Sequence, residues 1–158
     1  MATIKLVKMS EKEYMLFRSR SISDYAADKV ESGAWNVTEA ALRSEEEFNQ
    51  SLPDGIETKD AFLFTIQDQT ENTSVGYVWF NLMERNGSRF AFIMDILIFE
   101  KYQGRGYGKE TMAALDDEVR KLGLKQISLH VFGHNERAFR LYQKMGYEVT
   151  DIQMTKKW

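Results

Sequence analysis

Residues 99–110 read FEKYQGRGYGKE, with Gly104, Gly106 and Gly108 at alternate positions, Arg105 among them and Lys109 after them. Glycine costs roughly 0.5–1 kcal/mol in regular structure, so three within five residues point to a turn with left-handed backbone, a close approach of main chain to a ligand, or both. The run follows a strand-forming stretch and precedes a helical one. Successive N–H groups converge in such a turn, and the helix after it begins with unsatisfied donors and a partial positive charge. Two cations add to that field, so the junction reads as an anion site suited to phosphate. A plain turn with glycine caps is the competing reading, but one glycine would serve it. Two familiar phosphate motifs fail on spacing. Gly104 to Gly108 is one residue short of a Walker loop, and Glu110 follows Lys109 where Ser or Thr is needed. The third glycine comes one residue too soon for a dinucleotide fingerprint. Neither an ATPase nor an NAD enzyme is expected.

Other residues bear on chemistry. Asp95 interrupts the apolar run FAFIM–ILIF. A buried carboxylate must be paired, hydrogen-bonded or at a cavity edge, so it is either bridged to a nearby Arg or Lys, caught at a bulge, or facing a site. His130 and His134 lie in a β-rich stretch, where four residues span roughly 13 Å, too far for one ion, and no metal is expected. There is no cysteine, which excludes disulfides, thiolate metal sites and a cysteinyl intermediate.

The elements that must position these residues follow from periodicity. IKLVKM (4–9) alternates as a short strand. Residues 11–31 carry helical spacing at Tyr14, Phe17, Ile22, Tyr25 and Val30. Thr38 is a candidate N-cap for a second helix through Leu42, Phe48 and Leu52. Strands are expected at 61–68, 74–83 and 89–99, the last two joined at Asn86-Gly87, a hairpin signal. Residues 109–122 return to helical period, with Met112, Leu115, Val119 and Leu122 on one face and Gly123 as stop. A strand at 126–132 comes next. Asn135 can cap a last helix bearing Ala138, Leu141, Tyr142 and Met145, closed by Gly146. A final strand is expected at 147–154. The fold class is α/β in the α+β sense: a mixed, mainly antiparallel central sheet flanked by helices, in the order βαα-βββ-α-β-α-β.

QGRGYG (103–108) is similar to the Q/R-x-x-G-x-G/A loop of the GNAT superfamily of N-acetyltransferases, with Gln103, Gly106 and Gly108 on its key positions. The strand IMDILIF before it, the helix after it, HVFGHN and RAFRLYQKMGYE follow in that family's order and spacing. The resemblance covers residues 60–154. The first 60 residues match in kind only, in the part that varies with substrate. The resemblance therefore implies one domain over 1–158, with residues 61–154 as the acetyl-CoA-binding core and 1–60 as the acceptor side.

The resemblance implies that acetyl-CoA is the cosubstrate. Its pyrophosphate would be held by main-chain donors in residues 103–109, at Gln103, Gly104, Gly106 and Gly108 in particular, with Arg105 and Lys109 adding charge. Its pantetheine arm would pair with the backbone at Ile96 and Ile98. Asn135 would serve as helix cap and as a ligand on the pantetheine or adenosine side. The reaction joins a primary amine to a thioester. A lysine-like amine has a pKa of about 10.4 and a thiol about 8.5, so one proton must leave the nucleophile and one must reach sulfur. Tyr142 stands at the family's tyrosine position and would be the acid, although helical period alone reads it as core. Asp95 would be the base, through water; family members differ in which acid does this, and the bridged carboxylate remains open. His134 is a second candidate base beside an ordinary loop histidine. Without cysteine, direct transfer in a ternary complex is the expected route.

Tyr25, Trp35 and Glu45–Glu47 could favour a cationic acceptor, or the acids could be a solvated helix face. The acceptor is a small-molecule or peptide amine. A catalytically silent acyl-CoA-binding or sensing module of the same fold is the alternative. Homodimers are common in the family, and one is admitted here. The 158 residues are 43% hydrophobic and 28% charged with a net charge of −3, a soluble globular composition that argues against broad nucleic-acid binding. No apolar run approaches a membrane span, and no secretory h-region stands at the N-terminus, so a cytoplasmic location is expected.

Overall fold

The structure, a computed structural model, describes residues 3–158. The strands are β1 (Ile4–Lys8), β2 (Ala61–Asp68), β3 (Thr73–Arg85), β4 (Ser88–Ile98) and β5 (Ile127–Leu129). The helices are α1 (Glu11–Glu31), α2 (Ala40–Ser51), α3 (Tyr107–Lys121) and α4 (Glu136–Lys144). The sheet order is β1-β2-β3-β4-β5, antiparallel except for the parallel β4–β5 pair.

Strand alternation builds a two-faced sheet. Phe64, Ile66, Val78 and Phe80 face α3, where Met112, Leu115 and Val119 complete one core. Leu63, Tyr77 and Trp79 face the other way, toward Tyr14 and Phe17 of α1, Phe48 of α2 and Leu52 just beyond its end. The helices thus cover the sheet on both sides. Local signals fix the element ends. Ser10 Oγ accepts from the Glu13 amide while the Glu13 carboxylate accepts from the Ser10 amide, a capping box that starts α1. Asn86 and Gly87 take φ of 53° and 79° and close the two-residue β3–β4 turn.

Two features of β4 open the sheet. Its register against β3 shifts between Trp79 and Phe80, so that Trp79 pairs with Asp95 and Phe80 with Ile93. Met94 is the extra residue of a β-bulge. The β4–β5 ladder covers only Ala91, Phe92 and Ile93. Beyond the bulge β4 runs on to Ile98 with a ladder partner on the β3 side alone, which leaves a gap on the other side.

The structure departs from expectation in several places. Residues 147–154 form no strand, and Val149, Ile152 and Met154 are exposed; with β5 reduced to three residues, the alternating segment has almost no edge to pair with. Thr38 is not a cap: α2 begins two residues later, after Glu39, and the Thr38 hydroxyl donates to Asn36 Oδ1. Leu42 and Leu122, placed by period on buried faces, are exposed at helix ends. Asn135 sits at the N-cap position of α4 but its side chain makes no capping bond.

Candidate active site

The glycine turn follows β4 through a short 3-10 turn at Glu100–Tyr102. Gly104 and Gly106 take φ of 80° and 86°, the left-handed region that a side chain disfavours. Gly106 is the N-cap of α3, so the free donors of the first helical turn, at Tyr107, Gly108 and Lys109, face the end where the turn approaches. Among the described residues no acceptor meets the N–H groups of Gly104, Arg105 or Gly106. The Gln103 amide differs from expectation. It donates to the Glu100 carbonyl at 3.2 Å, closing the 3-10 turn, while its side-chain Nε2 donates to the Ile98 carbonyl at 2.8 Å. Gln103 thus braces the loop against the end of β4 and does not offer a free donor. Gly108 serves packing: a Cβ there would sit 3.0 Å from Leu141 Cδ2 of α4.

The helix start is tied down from behind. Tyr107 is buried, and its hydroxyl donates to Asp68 Oδ2. The other oxygen of Asp68 accepts the Thr70 and Glu71 amides. The Tyr107 bond, first among these donors, holds the Asp68 carboxyl below the usual range. Arg137 joins the loop from α4. Its guanidinium lies 3.7 Å from where a Gly104 Cβ would stand and donates to Gln103 Oε1 at 3.4 Å. Its sequence signal is its place at the head of RAFRLYQKMGYE, two residues after Asn135. Arg105 stacks over Tyr102, and Lys109 is exposed on the first turn of α3.

Beside the gap lies a cavity of about 530 Å³. One wall is the α1 face carrying Ser21, Asp24, Tyr25 and Asp28, spaced i, i+3, i+4 and i+7; a second is Ser44, Glu47 and Phe48 of α2. β4 contributes residues 92–97, and Asn135 and Tyr142 come from the far side of the gap. Of the residues that sequence marks, the cavity brings together Asp95, Ile96, Asn135 and Tyr142. It does not include Ile98 or the 103–109 loop, which lies farther along the same strand.

Among the described residues Asp95 has no cationic partner. Its Oδ2 accepts from Ser21 Oγ at 2.7 Å and from Tyr77 Oη at 3.2 Å. Protein surrounds the carboxyl while one edge stays open to the cavity. Burial pushes its pKa up to about 6, against the pull of the Ser21 and Tyr77 hydroxyls. The bulge explains how a carboxylate lands there. Pairing Asp95 with Trp79 puts it on the α1 face of the sheet, opposite Ser21. Ser21 itself is legible as a polar residue on the Tyr14–Phe17 stripe, and Tyr77 as an alternation partner of Trp79. Tyr142 packs against the core on the α3 face, yet reaches the same cavity through the gap. Burial first, and then the Asp95 charge, push its phenol up to about 12. It is therefore protonated at neutral pH.

The histidines separate. β5 ends at Leu129, so the extended spacing from His130 to His134 does not apply. His130 lines the cavity, and burial lowers its pKa. His134 turns to α1, with Nε2 2.9 Å from Asp28 Oδ1 and 3.4 Å from Glu31 Oε2. Asp28, Glu31 and His134 offer three possible ligand atoms within 4.8 Å of one another, a cluster that the His130–His134 argument does not address. No helix among the described residues is long and apolar enough to cross a membrane.

Comparison with known proteins bears on the fold and the family. The Acetyltransferase (GNAT) family matches residues 26–147. The uncharacterized N-acetyltransferase YycN of Bacillus subtilis is 37% identical over 155 residues, 98% of this chain and 99% of its own. Its crystal structure superposes with a TM-score of 0.93 over 99% of both chains. YdgE of the same organism, also an uncharacterized N-acetyltransferase, is 35% identical over 96% of each chain. A Bacillus subtilis spermine/spermidine N(1)-acetyltransferase is 34% identical over 83 residues, 49% of this chain and 55% of its own.

Proposed function

The chain belongs to the GNAT family of N-acetyltransferases, and from that premise we propose that it moves an acetyl group from acetyl-CoA directly to a primary amine held in the cavity. The observation that carries this reading is the meeting of Asp95 and Tyr142 from opposite faces of the sheet in one cavity beside the β4 gap. The free amides of Gly104–Lys109, with Arg105 and Arg137, suit the pyrophosphate of the cofactor. The unpaired edge of β4 at 94–98 suits the pantetheine amides, with Ile96 nearer the chemistry than Ile98. Asn135 lies at the same mouth. The first 60 residues, through α1 and α2, supply the acceptor side.

The proton transfers follow from the two carriers. Asp95 is ionised above about pH 6, yet it is a far weaker base than a free amine of pKa about 10.4. It therefore takes the proton as the C–N bond forms, when the nitrogen turns acidic. Tyr142, raised to about 12, is a reluctant acid for a thiolate of ordinary pKa about 8.5. Its hydroxyl stabilises sulfur by hydrogen bonding as the C–S bond breaks. Full transfer follows to the extent that the same desolvation raises the thiolate. Atoms balance: the amine enters neutral, its extra proton left to solvent; acetyl moves from sulfur to nitrogen, one amine proton passes to Asp95, the Tyr142 proton passes to sulfur so that CoA leaves as the thiol, and Asp95 gives up its proton to solvent as Tyr142 takes one back. The acceptor of the spermine/spermidine relative is a polyamine, consistent with an amine here. A cytoplasmic location fits a CoA-consuming reaction.

Thiol release from acetyl-CoA with an amine panel tests this reading. The wild type should turn over, and Tyr142→Phe should lose kcat with acetyl-CoA binding retained. Tight binding of acetyl-CoA without turnover on any amine would support a silent sensor instead.

A further inference from the structure

We propose that the acceptor is a linear amine carrying a second ammonium group, a di- or polyamine, and that Glu47 with the α1 carboxylates selects it. The inference rests on the proposed acetyl transfer, and it concerns the end of the same cavity that the chemistry leaves unused. Four carboxylates line this cavity, Asp24, Asp28, Glu47 and Asp95, against one ammonium, Lys29. Burial lowers the pKa of the lining His130, so it adds no positive charge at neutral pH. Asp95 sits at the reacting end. Asp24 is paired with Arg20, and Asp28 with His134. Among the described residues, Glu47 has no ion-pair or hydrogen-bond partner.

Acidic side chains alone would be an ordinary helix surface. These line the open side of the same cavity as the candidate base, and the helix sets their distance from it. Ser21 bonds Asp95. Asp24 is three residues on and Asp28 seven, which at 1.5 Å per residue places them about 5 and 10 Å along α1 from the reacting end. Glu47 projects from the facing α2 wall, which Ser44 fastens to α1 by donating to the Ile22 carbonyl at 2.7 Å. An extended alkyl chain advances about 1.25 Å per bond, so roughly three to seven methylenes carry the second ammonium from Asp95 to this acidic end. The walls between are apolar and aromatic, with Tyr25, Phe48 and Phe132, which suits a methylene chain and a cation over a ring face. A monoamine of the same length would leave its apolar tip against three carboxylates.

The test is calorimetric binding of 1,5-diaminopentane and n-pentylamine to the CoA-saturated protein at low salt. Acetylation of both amines is measured alongside. The diamine should bind at least tenfold more tightly. The ratio should fall toward one in Glu47→Gln, in Asp28→Asn and, in the wild type, at high salt. Both positions are solvent-accessible, and circular dichroism controls for folding. Equal binding of the two amines, a ratio that neither substitution moves, or no binding of either would overturn the inference. Acetylation of both amines without preference would leave acetyl transfer standing and remove the selection. Preferential diamine binding without acetylation of any amine would do the reverse.

Discussion

Asp95→Asn should make the protein more stable while disabling it. The carboxyl titrates near 6 in the fold against 3.8 in the unfolded chain, and burial is the main cause. For a group whose folded pKa is raised, the charged form is the penalised one. The penalty is absent below about pH 4, grows as pH rises, and is complete above about 6. A rise of that size corresponds to about 3 kcal/mol, an upper figure because one edge of the carboxyl meets the cavity. Linkage at these two values leaves roughly half of that penalty at pH 5. Asparagine keeps the shape and can still bond Ser21 and Tyr77, but carries no charge. Urea unfolding should therefore show Asp95→Asn more stable than wild type by about 1–3 kcal/mol at pH 7.5, with the advantage shrinking toward pH 5. At this chain length each kcal/mol is worth about 2–4 °C in Tm. Acetyl transfer should fall by about 10²–10⁴-fold, and the acid limb of kcat/KM near pH 6 should vanish. A variant less stable at pH 7.5 and no different at pH 5 would show that the Ser21 and Tyr77 bonds already offset the burial cost. An acid limb that survives in the variant would refute Asp95 as the base.

Other substitutions probe the remaining parts of the site and the sheet. Tyr142→Phe should lower kcat by tenfold or more with little change in the Kd for acetyl-CoA, measured by stopped-flow turnover and calorimetry. Gly106→Ala meets no atom within 4 Å but must hold φ of 86°, so it should cost about 1–2 kcal/mol in unfolding and weaken CoA binding. Arg105→Glu and Arg137→Gln should each raise the Kd for CoA at low salt, with a smaller effect at high salt and no change in thermal unfolding. Gly76→Ala would put a Cβ 2.0 Å from the Leu97 carbonyl oxygen, and should destabilise the β3–β4 pair by at least ~2 kcal/mol on urea unfolding.

The fold was legible in the sequence wherever period and punctuation agreed. The bounds of α1 and β2 match expectation residue for residue, because Tyr14, Phe17 and the alternating AFLFTIQD have a core to face. Asn86-Gly87 forced its turn. Agreement stopped where a residue's role depends on a distant partner. Asn135 and Thr38 are good caps by type, yet Thr38 bonds Asn36 instead and Asn135 makes no capping bond. Residues 147–154 alternate, but a strand needs an edge, and β5 offers three residues. In the site, Asp95, Tyr142 and the glycine turn could be marked from one dimension. The faces of Ser21 and Tyr77 follow from period, but their roles and that of Arg137 do not, because these lie in which atoms they meet across 74, 18 and 34 positions of chain. The bulge at Met94 was invisible for the same reason: it is a property of two strands, and it turns Asp95 toward α1 while parting β4 from β5.

A crystal structure of this protein bound to CoA would put the proposed acetyl transfer to its hardest test. Pyrophosphate oxygens should lie within hydrogen-bonding reach of the Gly104, Gly106 and Gly108 amides, pantetheine along residues 94–98 of β4, and the sulfur beside the Tyr142 hydroxyl. A cofactor seated elsewhere, or one whose sulfur points away from the Asp95–Tyr142 cavity, would contradict it.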